Sequence, residues 1–482
     1  MGELRTVRTD EYRLRLPRQG GMLLDAEVFA SERVPLEPRA LRQLADAACL
    51  AGVSRVLATP DIHVGYGVPI GAVLAAEDFV SPAAVGYDIN CGMRMLTTRW
   101  RADAVDVGRL ARQVRREIPL GEGKANLRMS PRGLRRVLAE GVAGLLQVVE
   151  AELAGTRLAW LLDHLDLQQE LSDSGRIERH GSLPADPAAL PPRAFERGLP
   201  QLGTLGGGNH FIEFQKVVEV LDEDTAAAWG VWEQQLVIMI HSGSRGLGHE
   251  VGGHFMKLAA RYDREHGIEI PNSQLAVLPL DSRPGRSYLD AMNAAANFAF
   301  ANRQLMAMLV KGAIAHLQGP VAMRTVYDVA HNLAARERHA GVGEVVVHRK
   351  GATRAFPAAR MNSTAFAGSG QPVLVPGSMG TASWLLRGVD SGEVSLFSTN
   401  HGAGRVLSRK AARGGKGKPG AVSDRQFDSS MAGIELICEN RRTIKEEAPA
   451  AYKDIDVVID TVIGAGLAAP VARMMPLAVL KG

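Results

Sequence analysis

The sequence predicts a mixed α+β fold, a single large domain with β-sheets and surrounding helices. Short apolar runs rich in β-branched residues, each ending near Gly, Ser or His, read as buried strands. One long Ala-rich stretch reads as a buried helix. The two kinds of segment do not alternate regularly enough for a doubly wound sheet or a barrel.

In chain order, 105–165 has helical spacing and many arginines. The stretch 171–200 is polar and Pro-rich, and reads as a loop or linker within a catalytic domain spanning 1–482. VVEV at 217–220, LVIMI at 236–240, VVV at 345–347 and VLV at 373–375 are the strand candidates, and 288–317 is the helix. EVSLFS at 393–398 is also strand-like.

The 482 residues are 46% hydrophobic and 22% charged, which excludes a disordered or collagenous chain. The net charge of +4 is too small for a histone-like binder, so any basic face must be local. Three cysteines, Cys49, Cys91 and Cys438, make no disulfide framework and suggest a reducing compartment. The charged N-terminus lacks an apolar core of the signal-peptide kind, and charges interrupt the most apolar stretches. The expected location is cytoplasmic, with no membrane span.

The chemistry lies in glycine-flanked segments: PDIHVGYG (60–67), GYDINCGMR (86–94), GGGNHFIE (206–213), HSGSRG (241–246), AHN (330–332), HRKGATRAF (348–356), PGSMGTAS (376–383) and HGAGR (401–405). Glycine lets backbone approach a ligand closely, so the recurrence builds a site. Taken singly, Cys91 reads as a small buried hydrophobe, and His210, His241 and His331 as hydrogen-bonded structural residues. Taken with Asp88 they make one carboxylate, one thiolate and three imidazoles, a donor set suited to a first-row transition metal.

Other motifs fail. HEVGGH at 249–254 spaces its histidines five apart, on different helix faces, and the chain has no phosphate loop, dinucleotide fingerprint or Lys-x-Asp-Gly nucleophile. His401 remains. It precedes a small-residue turn whose N–H groups can cradle phosphate, and imidazole attacks phosphorus well when a carboxylate fixes its tautomer. Asp61 is the candidate orienter; the alternative is a surface histidine in a glycine loop. Downstream, Arg405, Arg409, Lys410, Arg413, Lys416 and Lys418 form a cationic strip without an acid, suited to contact with a phosphate backbone. A second set, Arg109, Arg112, Arg115, Arg116, Arg128, Arg132, Arg135 and Arg136, widens that surface or is a solvated helix face. Aromatics at 5% argue against a base-stacking platform.

In their order and combination these segments resemble the RtcB family of GTP-dependent RNA ligases, from about residue 58 to Lys481. The resemblance implies an RtcB-like fold and two Mn²⁺ ions, with Cys91 bridging both, His241 and His331 completing one, and Asp88 and His210 the other. It implies guanylylation of His401 beside Asp61. It implies a GTP pocket using Asn209, His210, Phe211, Ile212, Glu213, His331, Asn332, Pro376, Gly377, Ser378, Met379, Ser383, His401, Gly402, Ala403, Gly404, Tyr452 and Lys481. The implied reaction opens a 2′,3′-cyclic phosphate, passes guanylate to the RNA 3′-phosphate, and joins that end to a 5′-hydroxyl with loss of GMP. The implied substrates are spliced tRNA halves or broken RNA, and the expected state is a monomer with room for an archease-like helper. Asn400 departs from the family pattern, where many members have cysteine. The competing readings are end-capping guanylyl transfer, a metallo-phosphoesterase, and a catalytically silent RNA binder.

Overall fold

The computed structural model describes residues 4–415, 418–441 and 443–482. It is a mixed α+β structure built on two large sheets. The first has seven strands in the order Val7–Asp10, Arg13–Leu16, Ala26–Phe29, Val53–His63, Ile70–Ala76, Gly343–Lys350 and Asn332–His339. The second runs Arg324–Ala330, Gly92–Arg101, Gln235–Ser242, Phe211–Val220, Ala468–Lys481, Ser383–Gly388 and Pro372–Val375, with Glu435–Cys438 added parallel to Ala468–Lys481.

The four predicted strand runs lie within these strands. The predicted helix is longer than its apolar pattern, Arg283–Gln318, because the Ser282 hydroxyl caps Gly285 N–H and Pro284 suits the first turn. Its middle is buried almost all round, among small side chains that let neighbouring elements approach. No helix among the described residues is long and apolar enough to cross a membrane.

Two segments differ from their reading. EVSLFS is not a strand: Asp390–Ser395 is a 3₁₀ turn, and only Ser398–Asn400 pairs, with Ala352–Arg354. Leu396 and Phe397 have φ of 55° and 48°, and the Ser395 hydroxyl bonds Ser398 and Gly392 locally, so side-chain chemistry outcompetes the ladder. The stretch 171–200 is a chain of short helical turns ending in Pro192–Gly198. It braces the second sheet, since Asp173 accepts from Thr325 N–H (3.0 Å) and Glu178 from Ala330 N–H (2.9 Å).

Register positions the site. Gly92 lies opposite both Ser242 and Ala330, while His241 lies opposite Phe211, and Phe211 opposite Lys481. Cys91, His241, His331, His210 and Lys481 therefore come to one edge of the sheet, on neighbouring strands. The chain then crosses to the first sheet at His331, between Arg324–Ala330 and Asn332–His339.

Behind this edge the long helix sends Arg303 into the sheet. Asp328 accepts from Arg94 (2.8 Å) and Arg303 (2.8 Å), all three side chains being fully buried. Arg303 also donates to the carbonyls of Asn90 (2.8 Å) and Ser242 (2.9 Å), strapping the backbone beside two predicted metal ligands. Asp328→Asn leaves two buried guanidinium groups without a counter-charge and is expected to cost about 3–5 kcal/mol in denaturant unfolding. A loss under about 1 kcal/mol would mean the strap carries no load.

Candidate functional site

The sheet edge opens into a cavity of about 260 Å³. At its floor Cys91 Sγ lies 3.3 Å from His210 Nε2 and 3.2 Å from His241 Nε2, and His241 Nε2 lies 3.2 Å from His331 Nε2. His210 Nε2 is 2.8 Å from Asp88 Oδ2. Donor separations of this size suit ligands held about 2.0–2.3 Å from a shared ion.

The tautomers are fixed from behind. Nδ1–H of His210 donates to the Leu205 carbonyl and that of His241 to the Asn209 carbonyl, both at 3.1 Å, which leaves the Nε2 lone pairs converging. Burial first, then the neighbouring histidines, push His241 and His331 well below the ordinary imidazole range, so both rings are neutral. Burial pushes Asp88 up, but the His210 ring in its protonated form, and then Arg245, outweigh it and hold the carboxylate below the usual range. Burial, reinforced by Asp88, raises the Cys91 thiol well above its usual value. Only a cation would convert it to thiolate. Among the described residues, buried Asp88 Oδ1 and His331 Nδ1 find no hydrogen-bond partner. Three lone-pair donors facing one another beside an unpartnered carboxylate oxygen fit a divalent metal.

His401 stands on the cavity wall, its ring centre 4.8 Å from that of His331. Its Nδ1–H donates to Asp61 Oδ2 at 2.6 Å, and its backbone N–H reaches the same oxygen at 3.3 Å. Asp61 is fully buried and accepts a third bond, on its other oxygen, from Thr59 Oγ1 (2.6 Å). Burial alone would raise its pKa, but the His401 hydrogen bond and charge, with Thr59, hold it below the usual range. Gly404 has φ +77°, and a Cβ there would collide with the Asp61 carbonyl, so this turn accepts glycine alone.

The lining also includes Asn209, Phe211, Glu213, Ser378, Met379, Tyr452 and Lys481, together with Asn332, Pro376, Gly377, Gly402 and Ala403. Phe211 and Glu213 face the cavity, while the Ile212 side chain packs into the opposite core by strand alternation. Ser383 sits behind, its hydroxyl accepting from Gln215 (2.9 Å). Burial drives Glu213 up to about 7 and Lys481 down.

A family model described as tRNA-splicing ligase RtcB matches residues 43–482. The chain belongs to the RtcB family. It is 40% identical over 502 aligned residues to the tRNA-splicing ligase RtcB of Thermococcus kodakarensis, covering 98% of each chain. It is 41% identical over 463 residues to the RNA-splicing ligase RtcB of Mycobacterium tuberculosis, covering 91% of this chain and 100% of that one.

In this RtcB chain several cavity features are absent from the sequence reading. Arg405 and Arg409, read as part of an RNA-facing strip, both line the cavity, Arg405 half-buried and Arg409 exposed. Arg405 bonds Glu447 (3.3 Å), the Tyr452 hydroxyl (3.0 Å) and the Glu446 carbonyl (2.6 Å), and Arg409 lies 3.5 Å from Glu447. Glu447 also accepts from the Tyr452 hydroxyl. The signal was the acidic pair Glu446–Glu447, which supplies the counter-charges missing from the strip itself. Arg413 pairs with Glu446 (2.6 Å), and Lys410 is exposed. Lys416 and the Lys418 side chain lie outside the described residues. In the second arginine set Arg112 pairs with Glu435, Arg115 with Glu439 and Arg136 with Glu140, so a good part of its charge is spent on the protein's own surface.

Proposed function

We propose that the protein is an RNA ligase that uses GTP to join a 3′-phosphate or 2′,3′-cyclic phosphate end to a 5′-hydroxyl end. Membership of the RtcB family supports ligation; the chemistry is read from His401. Its bond to Asp61 commits Nδ1 to the proton and leaves Nε2 with a lone pair beside the metal-ligand cluster. That single observation carries the reading.

His401 Nε2 attacks the α-phosphorus of GTP, forming a P–N bond as pyrophosphate leaves. Asp61 stabilises the imidazolium that results, as a buried carboxylate does for a histidine that gains positive charge. Phe211 and Tyr452 offer faces for the base, and the Glu213 carboxylate accepts guanine N–H groups in a buried setting. A cyclic phosphate first opens by addition of water with cleavage of the P–O2′ bond. The RNA 3′-phosphate then attacks the guanylyl phosphorus, breaking the P–N bond. Finally the 5′-hydroxyl attacks the activated 3′-phosphorus and expels GMP. Asp88, Cys91, His210, His241 and His331 would hold two Mn²⁺ ions, which supply Lewis-acid neutralisation of phosphate charge.

The test offers the protein GTP, Mn²⁺ and two RNA strands, one ending in a 3′-phosphate and one beginning with a 5′-hydroxyl. A longer, GTP-dependent product is expected. Guanylylated ends without a longer product would replace ligation by capping, and phosphate release without either would favour the phosphoesterase.

A further inference from the structure

We propose that Tyr66, Tyr87 and His249 form a stacking platform for an unpaired nucleobase next to an RNA end, just outside the cavity. The proposal rests on the ligase reading for the identity of its ligand. Tyr66 and Tyr87 are 36% and 37% exposed, and their centroids lie 5.8 Å apart. Tyr87 stacks on exposed His249 at 4.8 Å with 23° between the ring planes.

Ring pairs occur elsewhere on this surface; Tyr262 and His266, for instance, stack as i,i+4 neighbours on one helix. The Tyr66–Tyr87–His249 group differs because its rings come from three remote segments, two of which enter the cavity wall. Tyr87 adjoins Asp88, and Tyr66 follows three residues after His63, both of which line the cavity. One Cα step is about 3.8 Å, so the platform borders the site.

The rings are also held in place. Lys350, next to cavity-lining Gly351, donates to the carbonyls of Tyr66 and Ala83 (2.9 Å to Ala83), tying both tyrosine-bearing loops to one buried ammonium. Gly252 lets the second loop lie on the helix Arg245–His266: a Cβ there would come within 3.0 Å of the Gly86 carbonyl and 3.1 Å of Tyr87 Cα. Rigid exposed aromatics bind bases of any sequence, because every base has a π-face. The residues proposed for guanosine are Phe211, Glu213 and Tyr452, whereas the platform adjoins Asp88 and His63 in the chain. A strand approaching the metal-ligand cluster would meet it.

The test is a cycle in which both ring and base are removed. Affinities of wild type, Tyr87→Ala, Tyr87→Phe and Tyr66→Ala are measured by fluorescence anisotropy without GTP. The probes are a single-stranded RNA ending in a 3′-phosphate and one beginning with a 5′-hydroxyl, each with normal or abasic nucleotides at that end. Tyr87→Ala is expected to weaken binding of one normal strand about 5- to 100-fold, with Tyr87→Phe within about twofold, and to leave the abasic strand nearly unaffected. The strand that responds identifies the end that stacks. Equal weakening of normal and abasic RNA, no weakening of either strand, or no RNA binding by wild type overturns the platform. The ligase reading fails separately, if wild type retains no label from GTP and joins no RNA.

Discussion

Replacing His401 with asparagine is expected to abolish covalent retention of guanylate and to lower RNA joining by on the order of 10⁴-fold or more, the usual consequence of deleting a nucleophile. The substitution is chosen for its geometry. An asparagine amide can still donate toward Asp61 Oδ2, which now accepts from the His401 ring at 2.6 Å, so the buried carboxylate keeps a partner. What disappears is the nitrogen lone pair. Incubation with α-labelled GTP and Mn²⁺, followed by denaturation, should leave wild type carrying an acid-labile, base-stable label and the variant bare. The unfolding temperatures of the two should stay close. Asp61→Asn keeps the nucleophile but loses the negative charge that holds its tautomer, and is expected to reduce labelling by on the order of 10²- to 10⁴-fold. Undiminished labelling of His401→Asn would move the nucleophile to another residue and remove the basis of the mechanism.

The class of fold and its longest elements were legible because burial leaves a composition signature. The run LVIMI at 236–240 has no polar residue because both faces of Gln235–Ser242 are covered, and the Ala-rich helix is packed all round. Register left no such mark. Nothing local says that Gly92 lies opposite both Ser242 and Ala330, yet that alignment is what gathers Cys91, His241 and His331. The donor types could be named from their glycine-rich settings; their convergence is a property of strand pairing between segments more than a hundred residues apart. The counter-charges of the basic strip were not legible locally. The strip after His401 contains no acid, so its arginines read as free, whereas Glu446 and Glu447 return from a later turn to claim Arg405, Arg409 and Arg413. Arg303 was visible only as an interruption in an apolar stretch, with no hint that its side chain straps two ligand-bearing loops. The exposed tyrosines were hidden by a composition average: a low aromatic fraction limits the number of rings but not where they stand.

Cys91→Ala should strip the protein of bound Mn²⁺ while leaving its fold in place. The Cys91 sulfur lies between two imidazoles, 3.3 Å from His210 Nε2 and 3.2 Å from His241 Nε2. Among the described residues these three form the one group of donor atoms lying within 4.8 Å of one another. Alanine fills part of the same small buried volume, so the stability lost with the sulfur is expected to be modest beside the loss of the proposed shared ligand. Metal analysis after dialysis against Mn²⁺ is expected to show wild type retaining the ion and the variant losing most of it, with joining activity falling alongside. Thermal unfolding provides a readout independent of activity. A ligand that binds only the folded state stabilises it by about 2.7 kcal/mol at a hundred times its dissociation constant, so Mn²⁺ should raise the unfolding temperature of wild type and leave Cys91→Ala unmoved. Acid should have the same effect as the substitution. His210, His241 and His331 can ligate only while an Nε2 lone pair is free, and the thiol must lose a proton to bind, so metal-dependent stabilisation should fade as pH falls. If Cys91→Ala kept the wild-type metal content and the same Mn²⁺-dependent shift, the sulfur would be a packing atom. The site would then have to be rebuilt around Asp88 and the three imidazoles alone.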